Sequence, residues 1–175
     1  MERILNWNPE TDADARYLRS TVPMNDRFSG PLVNEYANKD AKLMGTAIES
    51  DAGDEMMNYI FTYWQYLDSF THWGSPGRGE FVMTPLPDVI DAAHKNGVPI
   101  SGTQFFNQFE GSVNMAPLLV QDENGKFPAA EQLKKIAEYY GFDGYFINEE
   151  ASVGQALATK YIQFMKQLQE NKPEN

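Results

Sequence analysis

The stretch Phe127-Pro128-Ala129-Ala130-Glu131-Gln132-Leu133-Lys134-Lys135-Ile136-Ala137-Glu138-Tyr139-Tyr140-Gly141-Phe142-Asp143-Gly144-Tyr145-Phe146-Ile147-Asn148-Glu149-Glu150 contains a helix, a stop and a strand in immediate succession. Pro128 stands where a helix begins, at a position whose N–H has no intrahelical partner to lose. Leu133, Ile136, Ala137 and Tyr140 recur at three- and four-residue spacing and predict one apolar face over 127–140. Gly141 ends that helix. Phe142 to Asn148 follows at once, aromatic and β-branched, and reads as a strand.

The same unit occurs upstream. Pro85 to Gly97 has prolines at its start, Val89, Ile90 and Ala93 at helical spacing, and an Asn96-Gly97 stop. Val98 to Phe106 follows as a second strand. Asn58-Tyr59-Ile60-Phe61-Thr62-Tyr63-Trp64-Gln65-Tyr66 is rich in aromatic and β-branched residues and reads as an earlier buried strand, trailed by a glycine-rich loop from His72 to Gly79. A last helix is expected over 156–168. Three strand–loop–helix units, roughly 40 residues apart, predict an α/β protein with a parallel sheet. Connections from helix to strand are short and those from strand to helix are long, and in such folds the long loops at strand C-termini carry function. Residues 1–55 read as an irregular segment leading into this region, with Asp12 to Arg19 and Asn34 to Ile48 as possible helices. Residues 56–170 carry the three βα units, and 171–175 form a frayed polar tail.

Composition narrows the partners. The chain has 175 residues, 14 Lys+Arg against 25 Asp+Glu, a net charge of −11 and a pI near 4.5. A nucleic-acid backbone or an anionic membrane surface needs a basic face, so neither is expected as a partner. A neutral ligand such as a sugar meets no such conflict. There is no cysteine, hence no disulfide and no thiolate ligand or nucleophile. No window holds the roughly 18 apolar residues of a membrane helix, and Met1 to Pro9 shows no signal-peptide core. The expectation is a soluble chain, cytoplasmic, or secreted if a signal peptide has been removed. Aromatic residues are plentiful and can fill a core or form stacking platforms; composition does not decide which.

Three strand ends could carry chemistry. In the third strand, Asn148 and Glu150 share a face and Glu149 takes the other. An amide can hold a polar group of a substrate while a carboxylic acid beside it protonates a leaving oxygen; the bland alternative is a Glu that caps the next helix or meets solvent. The second strand ends in Gln104-Phe105-Phe106-Asn107, amides for sugar hydroxyls and rings for the apolar face of a sugar, although at least one of these phenylalanines is expected in the core. The first strand ends in Trp64, Tyr66 and Asp68, with His72 beyond; these could bind hydroxyls or bond local backbone. His94, in a helix's last turn, is expected only to complement the helix dipole. No His-Glu-x-x-His, Walker loop or serine elbow is present, so neither metal nor cofactor is expected. Asp122-Glu123-Asn124-Gly125 lacks the spacing of a calcium loop and is expected to be a turn.

The chain resembles glycoside hydrolase family 85, the endo-β-N-acetylglucosaminidases. The resemblance lies in Tyr63-Trp64-Gln65-Tyr66-Leu67-Asp68, in Pro87 to Thr103, and above all in Tyr139-Tyr140-Gly141-Phe142-Asp143-Gly144-Tyr145-Phe146-Ile147-Asn148-Glu149-Glu150. It implies a TIM-type (β/α)8 barrel acting on the GlcNAc-β1,4-GlcNAc core bond of N-linked glycans, with retention and an oxazoline formed by the substrate's own 2-acetamido group. Asn148 would orient that acetamide and Glu150 would serve as acid and then base. Such a barrel takes about 250 residues, so the resemblance also implies a partial barrel of about three βα units. That is either the N-terminal part of the catalytic domain, a half-barrel completed by another chain or a second copy, or a carbohydrate-binding module without catalysis.

Overall fold

In the computed structural model, residues 2–28, 36–38, 40–49, 61–74, 82–106 and 115–170 are described. Strands β1 (Met44–Glu49), β2 (Ser69–Gly74), β4 (Ile100–Phe106) and β5 (Gly144–Glu149) are mutually parallel, in the order β1-β2-β4-β5. The two-residue β3 (Val82–Met83) runs antiparallel to β4, with Val82 opposite Gln104 and Met83 opposite Thr103. β2 and β4 pair only at Phe70↔Ile100 and Thr71↔Ser101, so the two strands part beyond that point.

Helices α2 (Pro87–Lys95), α3 (Pro128–Tyr140) and α4 (Gln155–Gln169) fall where the helical periodicity predicts them. Each of α2 and α3 opens on proline and is followed by a glycine with positive φ, Gly97 at 69° and Gly141 at 85°. They bury one stripe each: Val89, Ile90 and Ala93 on α2, Leu133, Ile136 and Tyr140 on α3, Tyr161, Phe164 and Leu168 on α4. These stripes cover one face of the sheet, where Phe70, Ile100 and Phe106 are almost fully buried. The buried Gln167 ties α4 to the start of α3, accepting from Phe127 N–H at 2.9 Å and donating to Phe127 O at 3.1 Å. As expected, Asp122 to Gly125 is a turn: Gly125 N–H donates to Asp122 O, and the Asp122 carboxylate takes the N–H groups of Asn124 and Lys126.

The parallel α/β class stands, and three local readings change. A fourth parallel strand, β1, lies inside the segment read as irregular or helical; its run Met-Gly-Thr-Ala-Ile-Glu pairs in register with β2 from Met44↔Ser69 to Glu49↔Gly74. At Gly45 it packs closely on the Leu67 side chain, where a Cβ would stand 2.7 Å from Leu67 Cδ1. The expected strand at 58–66 also moves. Residues 58–60 lie outside the described residues, Trp64–Tyr66 is a 3₁₀ turn, and the strand begins at Ser69. The aromatic run there serves packing instead: Phe61, Trp64 and Phe70 pack edge-to-face or tilted at centroid distances of 4.7 to 5.5 Å.

The N-terminal segment contains a short helix α1 (Glu2–Leu5) and a 3₁₀ turn at Ala15–Tyr17, not a helix over 12–19. Its later part, residues 20–27, runs past the C-terminal ends of α2 and α3. Ser20 N–H donates to Tyr140 O at 3.0 Å, Asn25 N–H to His94 O at 2.9 Å and Asn25 Nδ2 to Lys95 O at 3.0 Å. The arm thereby satisfies the Tyr140 and Lys95 carbonyls, which the helix ends leave without partners, and adds a second donor to His94 O, which also accepts the Gly97 N–H. Earlier in the segment, Trp7 packs on Tyr139 and Tyr140.

Candidate functional site

Register and side-chain alternation sort the sheet into two faces. Phe70, His72, Ile100, Gln104, Phe106, Ile147 and Glu149 point toward the helices. Thr71, Trp73, Ser101, Thr103, Phe105, Phe146 and Asn148 point the other way, onto the face that no helix covers among the described residues.

On that open face, at the C-terminal end of β5, Asn148 Nδ2 donates to Glu150 Oε1 at 2.8 Å. The pairing follows from a two-residue period: both side chains leave the strand on one side. Glu150 N–H donates to Phe106 O at 2.8 Å, so β5 stays laid along β4 up to the carboxylate. Asn148 is half-buried and Glu150 exposed. Phe105 lies opposite Asn148 in register. Trp73 stands 5.5 Å from Phe105 and 5.5 Å from Phe146, centroid to centroid. The result is an amide–carboxylate pair beside three aromatic rings. Amide and carboxylate can bond hydroxyl and acetamido groups while ring faces cover the apolar side of a sugar.

The other expected site residues are distributed elsewhere. Trp64, Tyr66 and Asp68 lie before β2 begins, at the opposite end of the strands from Asn148, which corrects the expectation that they close a strand. Trp64 is core, and Asp68 is engaged by Arg27, Lys42 and the Leu43 N–H. The Leu43 N–H and the Arg27 guanidinium hold the Asp68 carboxyl down at about 2. Tyr66 is exposed at that same end. His72 is within β2 rather than in a loop; it is buried on the helix-facing side, and burial lowers its pKa to about 4. Gln104 and Phe106 face the same layer, both with no exposed surface. The Gln104 amide has no partner there among the described residues. Asn107 lies outside the described residues. Of the sugar-binding expectations that fall on described residues, Phe105 alone joins Asn148 and Glu150.

Trp73 and Phe146 complete the cluster and are not among the expected site residues. Phe146 is within reach of sequence reasoning, because the alternation that joins Asn148 to Glu150 extends back two residues. Trp73 is hidden by a strand boundary placed too early.

Among the described residues, no group of three or more His, Asp or Glu side chains is arranged to hold a metal ion, and no helix is long and apolar enough to cross a membrane.

Parallel β/α units, with polar and aromatic side chains gathered at the strand C-termini, define a parallel α/β protein whose site lies at the carboxyl ends of its strands. Residues 39–175 match glycosyl hydrolase family 85. The cytosolic endo-beta-N-acetylglucosaminidase of Mus musculus is 30% identical over 172 residues, covering 96% of this chain and 23% of the relative. That of Gallus gallus is 25% identical over 177 residues, again covering 96% of this chain and 23% of the relative. Among solved structures, the glycoside hydrolase domain of Endo-D from Streptococcus pneumoniae R6 aligns at 39% identity with a TM-score of 0.79, covering 97% of this chain and 28% of that one. The chain belongs to glycosyl hydrolase family 85. It spans less than a quarter of the length of these curated relatives.

Proposed function

We propose that this chain is part of an endo-β-N-acetylglucosaminidase that cleaves the GlcNAc-β1,4-GlcNAc core bond of N-linked glycans. The observation that carries the reading is the Asn148–Glu150 contact at the strand end, beside Trp73, Phe105 and Phe146. The relatives' names supply the β-N-acetylglucosaminide bond that is cut, and their designation as cytosolic makes the cytosol the proposed location.

In this reading the acetamido oxygen of the substrate attacks C1 and the glycosidic C–O bond breaks. Glu150 gives its proton to the departing oxygen, and an oxazolinium ion, the protonated oxazoline still carrying the acetamide N–H, remains. Asn148 holds the acetamide in line for that attack. Water then adds to C1, Glu150 takes its proton, and the ring opens with retained configuration. A single catalytic carboxylate suffices, because the substrate provides the nucleophile that a second carboxylate supplies in most retaining glycosidases. A general acid acts best when shielded from bulk water. Glu150 is exposed, so shielding has to come from the bound glycan or from further strands over the open face.

Glu150→Gln should abolish glycan release while leaving glycan affinity nearly intact. Asn148→Ala should lower kcat by about a hundredfold or more, the scale of losing one oriented transition-state contact. Release of a GlcNAc-terminated product from a glycopeptide reads both. Normal turnover by Asn148→Ala would remove the acetamide role.

A second reading rests on the sheet edges. Among the described residues β1 pairs only with β2, and β5 only with β4, which leaves two open edges. A chain that binds glycan but turns over only when mixed with a polypeptide carrying the remaining strands would be a half-barrel subunit. One that binds and never turns over would be a carbohydrate-binding module.

A further inference from the structure

Glu149 separates Asn148 from Glu150 in sequence and points the other way, into the layer beneath α4. Its Oε1 accepts the backbone N–H of Ala151 at 2.7 Å. The preceding peptide is held as well, since Glu150 N–H donates to Phe106 O at 2.8 Å. The two peptide planes that flank the Glu150 Cα are therefore both anchored. Peptide planes are rigid, so anchoring both fixes φ and ψ at Glu150, and with them the direction of its Cα–Cβ bond. β5 ends at Glu149. The second anchor is consequently a side chain rather than strand pairing.

Holding a carboxyl in that layer is unfavourable. Glu149 Oε2 and the nearby Tyr161 hydroxyl are both buried with no hydrogen-bond partner among the described residues. Burial pushes the Glu149 carboxyl up, and the Ala151 N–H pulls it back. An aliphatic side chain would fill the same space without desolvating a polar oxygen. What such a side chain could not do is accept the Ala151 N–H.

We infer that Glu149 is a positioning residue: by accepting the Ala151 N–H it holds the Glu150 backbone so that the Glu150 carboxylate meets the Asn148 amide. This rests on the roles given above to Asn148 and Glu150. Glutamine at 149 keeps an acceptor oxygen and leucine does not, so Glu149→Gln and Glu149→Leu separate the accepted bond from charge and bulk.

The first measurement needs no turnover and no variant. Amide hydrogen exchange at Ala151 in the unaltered chain should be slowed about tenfold or more relative to an open peptide; an unprotected Ala151 overturns the inference. The second follows the Asn148 side-chain amide by NMR. Its hydrogen-bonded shift should persist in Glu149→Gln and collapse in Glu149→Leu, with the urea midpoint of each variant recorded separately. In turnover, Glu149→Leu should lose about tenfold to a hundredfold in kcat with KM within about twofold, and Glu149→Gln should stay within about threefold of the parent. Persistence of the Asn148 shift in Glu149→Leu sinks the idea, as does a Glu149→Gln variant as impaired as Glu149→Leu, which would point to charge. A parent chain that releases no glycan counts against the proposed function alone, because the exchange and amide readouts stand without it.

Discussion

His94 has an acceptor on each ring nitrogen: Nδ1 lies 2.7 Å from Val22 O and Nε2 lies 3.0 Å from the Asp143 carboxylate. A neutral imidazole has one N–H, so both contacts are satisfied only by the imidazolium. The Asp143 bond is the main cause raising His94 above 6.5, with burial opposing it and Val22 O and Asp91 assisting. Its role is thus larger than complementing a helix dipole. A raised folded-state pKa contributes stability that is complete below 6.5 and fades as pH rises through the folded value. His72 has the opposite sign: buried neutral with a pKa near 4, it destabilises the fold as pH falls from 6.5 toward 4. Urea midpoints across the range from about pH 4 to about pH 9 should therefore fall away on both sides. His94→Gln should flatten the alkaline side and cost about 1–3 kcal/mol near neutrality. An alkaline slope unchanged in His94→Gln would assign it to another group.

Helix ends offer the cleanest test at the scale of elements. Gly141 stops α3 with φ of 85°, and a Cβ there would stand 2.6 Å from Ser20 O. Gly154, before α4, has φ of −70°, and a Cβ added there would meet nothing within 4 Å. Gly141→Ala should cost more than about 1 kcal/mol, and Gly154→Ala should stay within about 0.5 kcal/mol of the parent. Equal melting temperatures for the two would contradict this account of the stop. The same physics explains what could be read beforehand. α2, α3 and α4 were legible because helix signals are local: an apolar stripe in each, and for α2 and α3 an opening proline and a closing glycine. β4 and β5 were legible because short connections tie them to those helices. β1 was not, since Met-Gly-Thr-Ala-Ile-Glu has weak strand propensity and is held by its neighbour β2. Asn148 and Glu150 were found by the period of a strand. The contrast between Phe105 and Gln104 needed the direction of each face, which depends on where the helices pack.

Over the whole molecule, the N-terminal arm is the least expected component. Beyond one short helix and a 3₁₀ turn it has no regular structure; what its later residues bind is the pair of helix ends beneath the sheet. Ser20 Oγ donates to Asp91 at 2.6 Å, and Gln132 Nε2 donates to Trp7 O at 2.6 Å. Removing residues 2–28 should leave helical carbonyls unpaired, uncover Tyr139 and Tyr140, and lower stability by at least about 3 kcal/mol, read as an earlier urea transition. An unchanged midpoint would show the arm to be ornamental. Nothing in its own sequence announces this task, because its partners are elsewhere in the chain.

That separation has a consequence for how the molecule comes together. The arm's contacts span 71 positions from Ser20 to Asp91, 72 from Val22 to His94 and 125 from Trp7 to Gln132. A ribosome delivers the arm before any surface it can dock on has been made. Contacts at such distances close late, after the loop entropy between them has been overcome. The arm is made well before its partners and is therefore among the last parts to settle, and its docking awaits the arrival of α3.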